Sequence, residues 1–138
     1  MKERPLVNDA ISLPTPAPGE ATPYSLFGLA KAKGGKGDAL AARLLALVEP
    51  TRSEPGALQY HVHRDRDDPD LFAFYEAWET IDHLRAHLST PAVAAFLRDR
   101  MDYLERDLEI RFVRMLSPHS WWTRAADHGP SITVAVLL

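Results

Sequence analysis

The chain has 138 residues, 46% of them hydrophobic and 25% charged, with a formal net charge of −3 and no cysteine. That is the composition of one ordinary globular domain, long enough for a single core. It excludes a disulfide framework, a thiolate metal site and a cysteine nucleophile, and a pI near 6.0 removes the electrostatic case for nucleic-acid binding.

Residues 1–23 carry five of the eleven prolines, ending in LPTPAPGEATP. Proline fixes φ and removes a donor, so this stretch reads as an extended arm, either a free leader or a strap on a partner subunit. It has charges but no continuous apolar run of signal-peptide type. The longest apolar-rich run, SITVAVLL at 131–138, is far short of the roughly 20 residues a spanning helix needs. The expectation is a cytoplasmic protein with no membrane association.

YSLFGLAKAK (24–33) alternates as a strand, with Leu26, Gly28 and Ala30 on one side and Phe27 and Leu29 on the other. Gly28 in mid-strand weakens packing and allows a close approach to the backbone. GGKGD (34–38) is a turn and not a phosphate loop, because no Ser or Thr follows Lys36 and the glycine spacing is wrong. A helix is predicted over 38–49, with Leu40, Leu44, Leu47 and Val48 on one stripe and Pro50 as its stop.

ALQYHVHR (57–64) and LFAFYEAW (71–78) form a strand pair joined by the polar DRDDPD turn. In the first, Leu58, Tyr60 and Val62 share a face. In the second, Phe72, Phe74, Glu76 and Trp78 share one. Thr80 is the predicted N-cap of a helix over 81–88, and Thr90-Pro91 opens a third over 91–104. DLEIRFVRML (107–116) alternates as a fourth strand, and SITVAVLL suggests an added edge strand. The order β-α-β-β-α-α-β predicts an α+β, ferredoxin-like antiparallel sheet with helices on one face. The other face is apolar enough to need a cover, which predicts a homodimer packed sheet against sheet. The expected division is an arm at 1–23, a domain at 24–116 and an extension at 117–138.

Several motifs occur in a familiar order: Lys33 and Gly35 around the first turn, E-P-G-A-L-x-Y at 54–60, H-R-D-x-D-D-P-D at 63–70, F-Y-E-A-W-E at 74–79 and H-L-S-T-P at 87–91. Together the chain from about 24 to 116 resembles the antibiotic-biosynthesis-monooxygenase family, the dimeric α+β barrels. The resemblance implies a homodimer with a pocket between sheet and helices in each subunit. It further implies oxidation of a small aromatic substrate, a quinol or polyphenol, by O₂ without flavin, haem or metal. The haem-degrading branch of that family places a Trp where His87 falls and an iron-ligating His where Leu97 falls, and Leu97 cannot ligate iron. A His common after the Thr-Pro pair is Ala92 here.

The candidate site follows from these positions. His87, three residues after Leu84, shares the inward helix face and titrates in a range suited to a general base; its other reading is a structural histidine tying helix to sheet. Glu76 lies on an apolar strand face, so it is paired or has a raised pKa. It could orient His87 or pair with Arg98 or Arg100. Trp78, Phe72 and Phe74 would clamp an aromatic ring, with the Trp78 N–H as a donor, or else simply fill the core. Arg98 would stabilise a developing oxyanion. His61 and His63 project together but lack a third ligand, so no metal site is expected, and the DRDDPD turn lacks calcium-loop spacing. Trp121 and Trp122 would cap the pocket or pack on a partner. The predicted function is a cofactor-independent monooxygenase, with catalytic His87, Glu76 and Arg98. The alternatives are a non-catalytic ligand-binding module and an isomerase of a small phosphorylated carbonyl compound, which would need converging cations.

Overall fold

The computed structural model describes residues 11–20 and 23–117. Trp121, Trp122 and the expected edge strand at 131–138 lie outside the described residues. The sheet has four strands, β1 (Tyr24–Lys31), β2 (Ala57–Arg64), β3 (Leu71–Trp78) and β4 (Glu109–Arg114), in the order β2-β3-β1-β4. Every pairing is antiparallel. With α1 (Gly37–Leu45), α2 (Val48–Arg52), α3 (Ile81–Leu88) and α4 (Pro91–Asp99) covering one face, this is the predicted α+β ferredoxin-like fold.

Strand parity builds the core. Leu26, Ala30, Phe72 and Trp78 rise from the sheet to meet Leu40, Leu44, Leu84, Leu88, Phe96 and Leu97 from the helices, all buried. The opposite face leaves Phe27 and Leu29 at 52% and 38% exposure, and Phe27 packs on Tyr75 with ring centroids 4.8 Å apart. Gly28 serves a close approach, as its position suggested: a Cβ there would lie within 3 Å of three atoms of the Phe74 ring.

Two local expectations are corrected. The helix over 38–49 is two helices, ending at Leu45 and restarting at Val48. Pro50 would clash with the carbonyl of Ala46 in a continuous helix, whereas in the first turn of α2 its missing N–H is no loss. The helix over 91–104 stops at Asp99 and tightens into a 3₁₀ turn at Arg100–Asp102. A bulge between Ala57 and Gln59 sets Ala57, not Leu58, opposite Trp78, while Tyr60 still faces Glu76. The cap at Thr80 forms, its hydroxyl accepting from His83 N–H at 3.2 Å. Thr90 instead donates its hydroxyl to the His87 carbonyl at 2.9 Å, fixing the end of α3.

The described part of the proline-rich arm lies on this subunit's own core. Ile11 and Leu13 pack against it and Ser12 is buried. Its far end is held by Glu20, which accepts from the Ala17 N–H at 2.9 Å and lies 3.6 Å from Arg114.

Candidate functional site

The site lies between the sheet and α3. His87 is in the last turn of α3, buried with Leu84 and Leu88 on that helix's inner face. Its ring lies 4.7 Å from the Trp78 ring, centroid to centroid, and 5.6 Å edge-on from Tyr60. The sheet below presents Glu76 beside Tyr60, its cross-strand partner.

Two carboxyl groups flank the imidazole. Glu54 Oε1 is 3.1 Å from Nδ1, and Glu76 Oε1 is 3.9 Å from Nε2. Glu54 reaches this position because α2 ends in a turn: its N–H donates to the Thr51 carbonyl, and Gly56 at φ +79° redirects the chain into β2. Only glycine adopts that conformation without strain, and a Cβ there would also strike the His83 ring. The Trp78 indole N–H donates to Glu76 Oε1 at 2.9 Å.

Burial sets the protonation states. His87 is 2% exposed, and loss of hydration lowers its pKa from 6.5 to about 4, so the ring is neutral at neutral pH. The Glu54 carboxylate accepts the proton on Nδ1, which leaves the Nε2 lone pair facing Glu76. Burial raises Glu76 from 4.5 to about 7; the Trp78 N–H opposes the rise, and the nearby Glu54 charge adds to it. Burial also raises Glu54. The Tyr60 phenol is pushed far upward, by burial first and then by the charge of Glu76, so it stays neutral. The Nδ1 side of the His87 ring is hydrogen-bonded to Glu54, whereas Nε2, 3.9 Å from Glu76, makes no hydrogen bond to it.

A cavity of about 40 Å³ opens beside the cluster, lined by Tyr60, Phe74, Glu76, His87 and Phe96 with further aliphatic side chains. Among the described residues no Lys or Arg lines it. The arrangement can hold a proton at two stations, Nε2 and Glu76, against an apolar wall.

The predicted residues divide. His87, Glu76 and Phe74 meet at the cavity. Trp78 is fully buried behind His87, and its N–H is committed to Glu76, so the expected donation to a substrate is not available. Phe72 is a core residue, covered by the Arg64 guanidinium 5.1 Å from its ring. Arg98 points outward, its side chain 71% exposed and 3.9 Å from Asp99, so it cannot face an oxyanion in the cavity. Neither Arg98 nor Arg100 pairs with Glu76; Arg100 is bound to Asp107 at 2.6 Å. The acceptor behind His87 is Glu54, where Glu76 had been expected. Its one linear signal is its place at the head of the E-P-G turn.

His61 and His63 stand on the open sheet face with ring centroids 6.3 Å apart. Among the described residues no group of three His, Cys, Asp or Glu side chains could hold a metal ion. Nor is any helix among them long and apolar enough to cross a membrane.

A four-stranded ferredoxin-like sheet with a buried imidazole between two carboxyls defines a small α+β domain with one enclosed polar cluster. The chain belongs to the antibiotic biosynthesis monooxygenase family, which it matches over residues 23–99. It is similar to the uncharacterized protein sll1783 of Synechocystis, 30% identical over 75% of this chain and 71% of that one. Among solved structures it resembles PA3566 from Pseudomonas aeruginosa, at 35% identity and a TM-score of 0.66, over 70% of this chain and 97% of that one. It also resembles SO0527 from Shewanella oneidensis, at 25% identity and a TM-score of 0.62, over 68% and 93% of the two chains.

Proposed function

We propose that the protein is a cofactor-independent monooxygenase that oxidises a quinol or related electron-rich phenol with O₂. The observation that carries this reading is the neutral His87 ring in an apolar cavity, with Nδ1 bound to Glu54 and Nε2 left open toward Glu76. Triplet O₂ must first take an electron from the substrate, and a phenolate gives one far more readily than a phenol. The site therefore has to remove a proton.

His87 Nε2 accepts the substrate hydroxyl and takes its proton. Glu54 is the positioning residue that holds the ring in the required tautomer. Because burial makes imidazolium unfavourable, the proton passes on to Glu76, whose pKa of about 7 makes it the better store near neutrality. Phe74 and Phe96 supply the apolar wall. The phenolate passes an electron to O₂, and the resulting radical and superoxide combine through a new C–O bond. The O–O bond then breaks with loss of water. For hydroquinone the balance is C₆H₆O₂ + O₂ → C₆H₄O₃ + H₂O, with all four electrons supplied by the substrate.

The exposed Phe27 and Leu29 face supports a homodimer closed sheet on sheet. The isomerase alternative has less support, since among the described residues no Lys or Arg lines the cavity. A non-catalytic ligand-binding module of the same fold is separated by turnover. Metal-free protein incubated with a panel of hydroquinones should consume O₂, and His87→Gln should lower the rate by about 100-fold or more. Absence of protein-dependent uptake across the panel contradicts the proposal.

A further inference from the structure

The cavity beside His87 is too small for the ligand that its chemistry suits. At about 40 Å³ it has room for a water or two, whereas a dry cavity of roughly 150 Å³ is needed to hold benzene. An aromatic ring can enter only if something in the wall moves.

Among the described residues, one member of the wall belongs to the arm. Leu44, Tyr60, Phe74, His87 and Phe96 are mounted on the sheet or the covering helices, and Leu108 immediately precedes β4. Among the described residues, Ile11 alone reaches the cavity from outside that frame, on the proline-rich arm that precedes β1. Moving any of the others would break strand pairing or helix packing. Ile11 is held by a β-bridge, so moving it breaks that bridge and shifts the arm but leaves the pairing of the four strands intact. Pro14, Pro16 and Pro18 offer no N–H to bind the arm to the sheet. Its side-chain contacts include those of Ile11 and Leu13 with the core and of Glu20 with Arg114.

We propose that Ile11 is the specificity-determining stopper of this pocket: it occupies the place of a ligand's ring, and the ligands admitted are those that displace it. This rests on the reading of the pocket as a phenol site. A small phenol would displace Ile11 alone, and a larger fused ring would have to move the arm with it.

The test is binding of phenol and of 1-naphthol to the full chain under argon, followed by calorimetry and by NMR shifts at His87 and Phe96. Ile11→Ala should bind phenol about tenfold more tightly than the unmodified chain, since the ring no longer has to expel a half-buried isoleucine side chain. Leu13→Ala is the control, because Leu13 packs on the core without lining the cavity, and its affinity should stay unchanged. If Ile11→Ala does not fold, Ile11→Val must move the affinity in the same direction by a smaller factor. Unchanged affinity in the Ile11 variants, an equal gain in Leu13→Ala, or shifts remote from His87 would each overturn the proposal. Binding under argon needs no oxidation. Tighter binding without O₂ uptake therefore keeps the stopper and removes the monooxygenase reading, whereas uptake with unchanged binding does the reverse.

Discussion

At the scale of residues, the site depends on opposite pKa shifts of similar size. In the unfolded chain His87 titrates near 6.5 and Glu76 near 4.5; in the folded chain they titrate at about 4 and about 7. Glu76 is raised, so its contribution to stability is present below pH 4.5 and lost as pH rises through 7. His87 is depressed, so its contribution is present above pH 6.5 and lost as pH falls through 4. Between these limits the unfolded chain carries the proton on His87 and the folded chain carries it on Glu76. The two slopes therefore cancel. Glu76→Gln, which keeps an acceptor for the Trp78 N–H, removes one of them. Its stability relative to the unmodified chain should grow from pH 4 to pH 7 by about 3 kcal/mol. Urea unfolding at several pH values checks this, and parallel pH profiles would refute it. His87 and Glu76 could be read from the sequence because strand parity and helix spacing assign each a face. Glu54 could not, since nothing in linear spacing joins it to a histidine 33 residues away across the β2–β3 hairpin. Arg98 was misplaced although spacing spoke against it: Phe96 and Leu97 are buried, and the next residue turns about 100° further round the helix.

At the scale of elements, β1 and β3 fix the shape of the pocket through a glycine. Gly28 makes the space in which the Phe74 ring lies across the strand, and Phe74 lines the cavity. Gly28→Ala should therefore push that ring off its seat, at a cost of about 1–3 kcal/mol from overpacking. It should also weaken phenol binding while leaving the sheet intact, as thermal unfolding and far-UV circular dichroism would show. Unchanged stability would mean that the ring swings aside freely. The strands were legible over almost their whole length, β2 and β3 to the residue, because alternation is a direct consequence of the pleat. The helices were legible in their apolar stripes but less so in their ends. Pro50 marks a break in the α1–α2 region, yet a proline is compatible both with a stop and with a first helical turn, and only packing against β2 decides between them.

At the scale of the whole molecule, the described residues cover the sheet on one side only. Phe27 and Leu29 leave an apolar face in water, and the account assigns it to a second copy of the chain. Sedimentation should give a particle of twice 15.4 kDa, and Phe27→Arg should halve it with the fold retained. A monomeric unmodified chain would remove the dimer from the account. Family membership and the sheet topology establish the frame in which the cluster sits. The reaction is argued from the cluster itself, because a fold hosts many chemistries. The most direct measurement is mass spectrometry of the product formed from a hydroquinone under ¹⁸O₂. The account predicts one labelled oxygen atom in each product molecule, with the other released as water. Unlabelled quinone formed together with hydrogen peroxide, or no protein-dependent product, would contradict it.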